Sequence, residues 1–188
     1  MISAILLAAG ESKRMGGENK LKKKIDNEPL IKHSIQNILN SNIDELIVVV
    51  GYQEEIIKKL IIKNKKIKII SNKNFKNGMA SSIKEGLKHL SKKAEYFFIC
   101  LGDMPNINKK IYNNLIKSKN KNQIIIPSYK GKRGNPVLFN KSMKKIITNI
   151  KGDSGAKKII TMYKEKIFIF ETNDQSIVQD FNTQQNFS

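Results

Sequence analysis

Near the amino terminus the apolar run Ile5-Leu6-Leu7-Ala8-Ala9 leads into Gly10-Glu11-Ser12-Lys13-Arg14-Met15-Gly16-Gly17-Glu18-Asn19-Lys20. A buried strand that ends in a Gly/Ser turn frees backbone N–H groups, and Arg14 and Lys20 add full positive charge further out. Oriented amide dipoles close in, with cations behind them, are what a polyphosphate needs. The spacing is not G-x-x-x-x-G-K-[ST], since no Ser or Thr follows Lys20, nor is it a G-x-G-x-x-G turn opening a helix.

A carboxylate stands in a comparable place in Gly102-Asp103-Met104-Pro105, directly after the apolar run Tyr96–Leu101. Asp103, in a Pro-restricted turn, suits Mg²⁺, which takes one or two carboxylates and completes its shell with phosphates and water. The alternative is that Asp103 caps the helix expected from near Asn108, or tightens the turn. In Asn77-Gly78-Met79-Ala80-Ser81-Ser82 small residues permit close backbone approach. The hydroxyls of Ser81 and Ser82 there can meet a base or ribose, or serve as plain helix N-caps. His33 and His89 have no Cys or Asp at ligand spacing and are assigned no chemistry.

Strands must present these groups. Apolar, β-branched runs recur at Ser3–Ala8, Glu45–Val50, Lys66–Ile70, Tyr96–Leu101, Gln123–Ile126, Pro136–Phe139 and Lys166–Phe170. Between them lie helical stretches. Pro29 opens one that carries an Ile31, Ile35, Ile38, Leu39 stripe, and Gln53–Ile62, Ser81–Leu90 and Gly155–Tyr163 read the same way. Alternating strands and helices imply βαβ units and an α/β fold with a mostly parallel sheet. Ligands of such sheets bind beyond the carboxyl ends of the strands, so the Gly10 loop and Asp103 should share one cleft.

The chain has 188 residues, enough for one sizeable core. Its formal net charge is +19, yet only two of the 35 basic residues, Arg14 and Arg133, are arginines. The lysines are scattered among Ile and Asn rather than gathered into a face, so no nucleic-acid partner is expected. Cys100 is the single cysteine and lies in an apolar run, which fits a buried thiol in a reducing, cytoplasmic setting. No apolar run approaches the ~18 residues of a membrane span, and no membrane partner is expected.

The first loop resembles the signature L-A-A-G-x-S-x-R-M-G-x-x-x-K of nucleotidyltransferases related to the molybdenum cofactor cytidylyl- and guanylyltransferases. Four further stretches are similar to segments of that family: G-M-x-x-S-I at 78–83, G-D-M-P at 102–105, G-x-x-G-N-P-V-L-F at 131–139 and G-D-x-G-A at 152–156. The resemblance implies a single Rossmann-like α/β domain over 1–188, with the first ~105 residues binding nucleotide and the remainder the acceptor. It assigns Leu7, Ala8, Ala9, Gly10, Ser12, Arg14 and Lys20 to the nucleotide, together with Gly78, Ser81 and Ser82. Arg14, Lys20 and Asp103 are the implied catalytic residues, and Mg²⁺ the implied cofactor.

The same resemblance places Arg133, Asn135 and Asp153 on the acceptor side, though Arg133 could simply be solvated and Asp153 could cap a helix. In the tail, Asp180 and Asn182 match a family segment that supplies a second metal ligand, the alternative being a surface turn. The implied reaction is transfer of CMP from CTP to the phosphate of molybdopterin with release of pyrophosphate, the L-A-A-G form being closer to the cytidylyl branch. A molybdoenzyme or its chaperone is the implied recipient. Transfer to another phosphorylated small molecule, such as a sugar 1-phosphate, and a non-catalytic carrier of nucleotide or molybdopterin are the alternatives.

Overall fold

The β-branched runs form the strands of one twisted sheet, in a computed structural model that describes residues 1–12, 18–149 and 157–181. In chain order the elements are β1 (Ile2–Ala8), β2 (Lys24–Ile25), β3 (Glu28–Pro29), α1 (Leu30–Leu39), β4 (Glu45–Val50), α2 (Glu54–Leu60), β5 (Ile67–Ser71) and α3 (Met79–Lys88). They continue with β6 (Tyr96–Leu101), α4 (Lys109–Lys117), β7 (Ile124–Tyr129), β8 (Lys132–Arg133), β9 (Val137–Asn140), α5 (Lys144–Thr148), α6 (Lys157–Met162) and β10 (Ile167–Glu171).

The sheet order is β10-β7-β9-β6-β1-β4-β5, with β8 added on β7. Pairings β1–β4, β1–β6, β4–β5 and β7–β10 are parallel, and β9 alone runs against both of its neighbours, β6 and β7. The chain leaves β1 for β4 and β5 on one side, then crosses to β6 on the other. The carboxyl ends of β1 and β6 are therefore a topological switch point, where an open α/β sheet forms its crevice.

Period-two alternation along each strand feeds two apolar layers. Ala4, Leu6, Val48, Phe98 and Leu138 face α1, α2 and α4, while Ile5, Ile47, Val49, Phe97 and Phe139 face α3, α5 and α6. The result is a three-layer α/β/α domain. In α1 the stripe Ile31, Ile35 and Ile38 is wholly buried, as its spacing requires. Gly86 of α3 has a steric reason: a Cβ there would lie 2.4 Å from Ile5 Cγ2, so its absence lets the helix rest on β1.

All seven expected strands are present. Pro29 belongs to the small ribbon β2–β3, and α1 starts one residue later, at Leu30. The segment around Gly131 is a tight hairpin: Ser128 pairs with Arg133 and Tyr129 with Lys132. Lys130 and Gly131 between them both have positive φ, 49° and 76°, the combination a two-residue hairpin turn needs. Among the described residues no helix is long and apolar enough to cross a membrane.

Candidate functional site

Strand register brings the two distant loops together. Leu7 of β1 pairs with Leu101 of β6, and Ala8 pairs with Val50 of β4, so the residues after each strand emerge side by side on one edge of the sheet. There Lys20 Nζ lies 2.5 Å from Asp103 Oδ2, across 83 residues of sequence. The two side chains are only 16% and 17% exposed, so the pair is sheltered but reachable. Gly102 makes the approach possible, since a Cβ on it would come within 3.0 Å of the Leu7 carbonyl oxygen.

Each end of the pair is fixed by hydrogen bonds. Asn19, fully buried, caps the 3-10 turn Lys20–Lys22 by accepting from the Leu21 N–H at 3.1 Å, and its amide donates to the Tyr52 carbonyl at 3.2 Å. The Lys20 N–H donates to Ser12 Oγ at 3.2 Å, closing the loop on itself, and Ser12 takes a left-handed backbone, φ 53°. On the other side, Ser34 Oγ of α1 donates to the Gly102 carbonyl at 3.0 Å, and Asn37 Nδ2 to that of Pro105 at 2.7 Å. The Phe181 N–H donates to the Asp103 carbonyl at 2.9 Å, which brings the tail beside the metal candidate.

The capping alternative for Asp103 fails, because Asn108 caps α4 with its own side chain, accepting from the Lys110 N–H at 2.9 Å. Asp103 instead turns its carboxylate to Lys20. Neither Ser81 nor Ser82 is the N-cap of α3, a position that Gly78 takes with φ 85°. Both hydroxyls receive hydrogen bonds from the buried Asn72 amide, at 2.9 and 3.0 Å, and Ser82 is itself buried. Asn72 thus ties the end of β5 to the first turn of α3.

Beside it, at the ends of β4 and β5, a cleft of about 450 Å³ is lined by Gly51, Gln53, Glu54, Glu55, Ile56, Asn72, Lys73 and Phe75. The Ser71 hydroxyl donates to Glu54 and holds that carboxyl below the usual glutamate range. Ala9 is buried and Gly10 exposed, so only the latter offers its backbone freely to a ligand.

On the opposite flank Arg133 is exposed in β8. Gly134 must be glycine for contact reasons: a Cβ would fall 2.4 Å from the carbonyl oxygen of Ile177, which also accepts from the Asn135 N–H at 2.8 Å. The tail turn Gln175–Val178 is thereby seated on the Gly134-Asn135 corner. Asp180 follows it, exposed, next to the Phe181 that binds Asp103. Arg14, Asp153 and Asn182 lie outside the described residues. Asn19, Ser34, Asn37 and Asn72, which orient the site, carried no assignment from sequence.

Chemically, the edge offers an ammonium and a carboxylate at one point and hydroxyl and amide groups on the β5–α3 side. Among the described residues no group of three His, Cys, Asp or Glu could hold a metal ion by itself. The Asp103 carboxylate is an oxygen donor of the kind a hard divalent cation takes while keeping most of its shell for water and substrate. Cys100 is buried and its thiol is pushed far up by desolvation, so it is no nucleophile.

Residues 4–167 match the MobA-like NTP transferase domain. A probable molybdenum cofactor guanylyltransferase of Natranaerobius thermophilus is 34% identical over 134 residues, 69% of this chain but 62% of that protein, a little under two thirds of its length. The molybdenum cofactor cytidylyltransferase of Escherichia coli is 29% identical over 140 residues, 74% of this chain and 70% of that protein. Among solved structures, Rv0371c of Mycobacterium tuberculosis superposes with a TM-score of 0.87 at 18% identity, covering 99% of this chain and 95% of that one. Its complex with manganese superposes at 0.77 with 16% identity, over 91% and 88% of the two chains.

Proposed function

The chain belongs to the MobA-like NTP transferase domain family, and from that premise we propose that it is a nucleotidyltransferase that moves CMP from CTP to the phosphate of molybdopterin. The observation that carries the reading is the 2.5 Å meeting of Lys20 and Asp103 at the switch point. A transferase that joins two polyanions needs, above all, a cation at the reacting phosphate and a carboxylate for a metal beside it.

In the reaction proposed, a terminal phosphate oxygen of the acceptor attacks the α-phosphorus of CTP. The new P–O bond forms as the bond to the β-phosphate breaks, and pyrophosphate leaves. Lys20 neutralises charge building on the α-phosphate, Arg14 holds the β,γ-phosphates, and the Gly10 backbone with Ser12 lines the phosphate track. The nucleophile is already ionised, so no general base is required.

Mg²⁺ is the proposed cofactor, held by Asp103 with Asp180 and Asn182 as further oxygen donors, and it would supply charge neutralisation on the triphosphate. Gly78, Ser81 and Ser82 with the ends of β1 serve base and ribose, while Arg133, Asn135 and Asp153 serve the acceptor. The L-A-A-G sequence at 7–10 supports CTP over GTP, although relatives of both specificities resemble the chain.

The test is to supply each of the four NTPs in turn with Mg²⁺ and molybdenum-loaded molybdopterin, and to analyse products by mass spectrometry alongside pyrophosphate release. A cytosine dinucleotide is expected. Pyrophosphate and a dinucleotide with GTP alone would overturn the base choice, and no pyrophosphate with any NTP would overturn the transferase reading.

A further inference from the structure

We propose that Lys20 doubles as a gatekeeper of the metal site: it and a divalent cation compete for the same oxygen of Asp103, so that metal and nucleoside triphosphate enter together and not in sequence. This rests on the reading of Asp103 as the metal ligand.

An ammonium nitrogen 2.5 Å from Asp103 Oδ2 stands about where a hard cation bound to that oxygen would be, since such ions sit ~2.0–2.6 Å from carboxylate oxygens. The two cannot share the position, and at contact distance a divalent ion and an ammonium repel. The pair is about five-sixths buried on each side, so water screens that repulsion poorly.

The backbones that carry both partners are anchored. Lys20 rises from a turn capped by buried Asn19 and bonded to Ser12, and Asp103 from a turn held by Ser34, Asn37 and Phe181. A cation arriving by itself must therefore displace the ammonium from its carboxylate against that repulsion. A cation arriving with a triphosphate brings the anionic oxygens onto which Lys20 can move. The coupling is reciprocal: whatever factor the nucleotide adds to metal affinity, the metal adds to nucleotide affinity.

The test measures Mn²⁺ binding by electron paramagnetic resonance, following the free-ion signal with no turnover. Without nucleotide, Lys20→Met should bind Mn²⁺ roughly tenfold more tightly than the unaltered protein, within the ~5–150-fold span of such couplings. Lys20→Gln, which keeps a polar tip, should show the same gain, and a non-hydrolysable CTP analogue should restore tight uptake to the unaltered protein. Adding Asp103→Asn to Lys20→Met should remove the gain. Equal Mn²⁺ affinity in the unaltered protein and both Lys20 variants, with Asp103→Asn weakening all three, would overturn the gate and leave Asp103 as metal ligand. A gain that survives Asp103→Asn would overturn the metal assignment as well.

Discussion

Replacing Asn19 by Ala removes a side chain that touches no substrate in the proposed reaction, yet holds Lys20 in place. The side chain is fully buried and makes two hydrogen bonds, to the Leu21 N–H at 3.1 Å and to the Tyr52 carbonyl at 3.2 Å. Loss of the first is loss of a cap, about 0.5–2 kcal/mol. Loss of the second strands a carbonyl that the side chain had satisfied, about 1–3 kcal/mol. Together the expected destabilisation is about 1.5–5 kcal/mol, a sizeable part of the ~5–15 kcal/mol that holds a domain together.

Urea denaturation followed by circular dichroism would register this as a lower midpoint at unchanged slope. Asn19→Ser, which can cap but cannot reach Tyr52, should recover the capping part only. Under conditions where Asn19→Ala remains folded, pyrophosphate release should fall by ~100-fold, the order expected of a ~1 Å misplacement of a catalytic group. A variant within ~0.5 kcal/mol of the parent and equally active would refute the claim that Asn19 fixes Lys20.

Lys20→Ala and Asp103→Ala should each reduce pyrophosphate release by about 100-fold or more while the circular dichroism spectrum is kept, and near-normal turnover in either would contradict the proposed roles. Gly86→Ala places a methyl 2.4 Å from Ile5 Cγ2 and should cost about 1–3 kcal/mol in urea unfolding, despite alanine's better helix propensity; a more stable variant would show that α3 can lift off β1 without penalty. Glu45 is buried in β4, and although desolvation raises its pKa, hydrogen bonds from Lys68, Ser3 and the Ser91 N–H outweigh this and leave it lowered. Its ionised form thus adds stability above about pH 4.3, the unfolded value, and that contribution is lost as pH falls through the lower folded pKa; Glu45→Gln should flatten the acid limb of stability against pH, and an unchanged limb would remove Glu45 from its cause.

What could be read in the chain was what is local. The seven longer strands were visible because their apolar residues are contiguous, and α1 because Ile31, Ile35 and Ile38 recur at helical spacing. The Gly10 loop and Asp103 were visible because each motif lies within twenty residues and directly follows a strand. Harder to read were residues whose meaning is a partner elsewhere. Gly86 carried no meaning in the sequence, and it is small because Ile5 presses on it. Ser81 and Ser82 looked like possible caps, but a buried Asn72 claims both. The two-residue strands β2, β3 and β8 are too short for any periodicity to mark.

By itself, then, the sequence determined the alternation of strand and helix, the α/β class, and the ammonium and carboxylate that emerge at strand ends, because these follow from the order of apolar and polar residues along one chain. Only the tertiary structure decided that Lys20 and Asp103 meet, that Asn19, Ser34 and Asn37 hold them there, and that the tail returns to Asp103 through Phe181. Those contacts span up to 83 residues, and they are fixed by β1 pairing with β6 in one register. A hydrogen bond has a length and a direction in space, and no spacing along the chain encodes either.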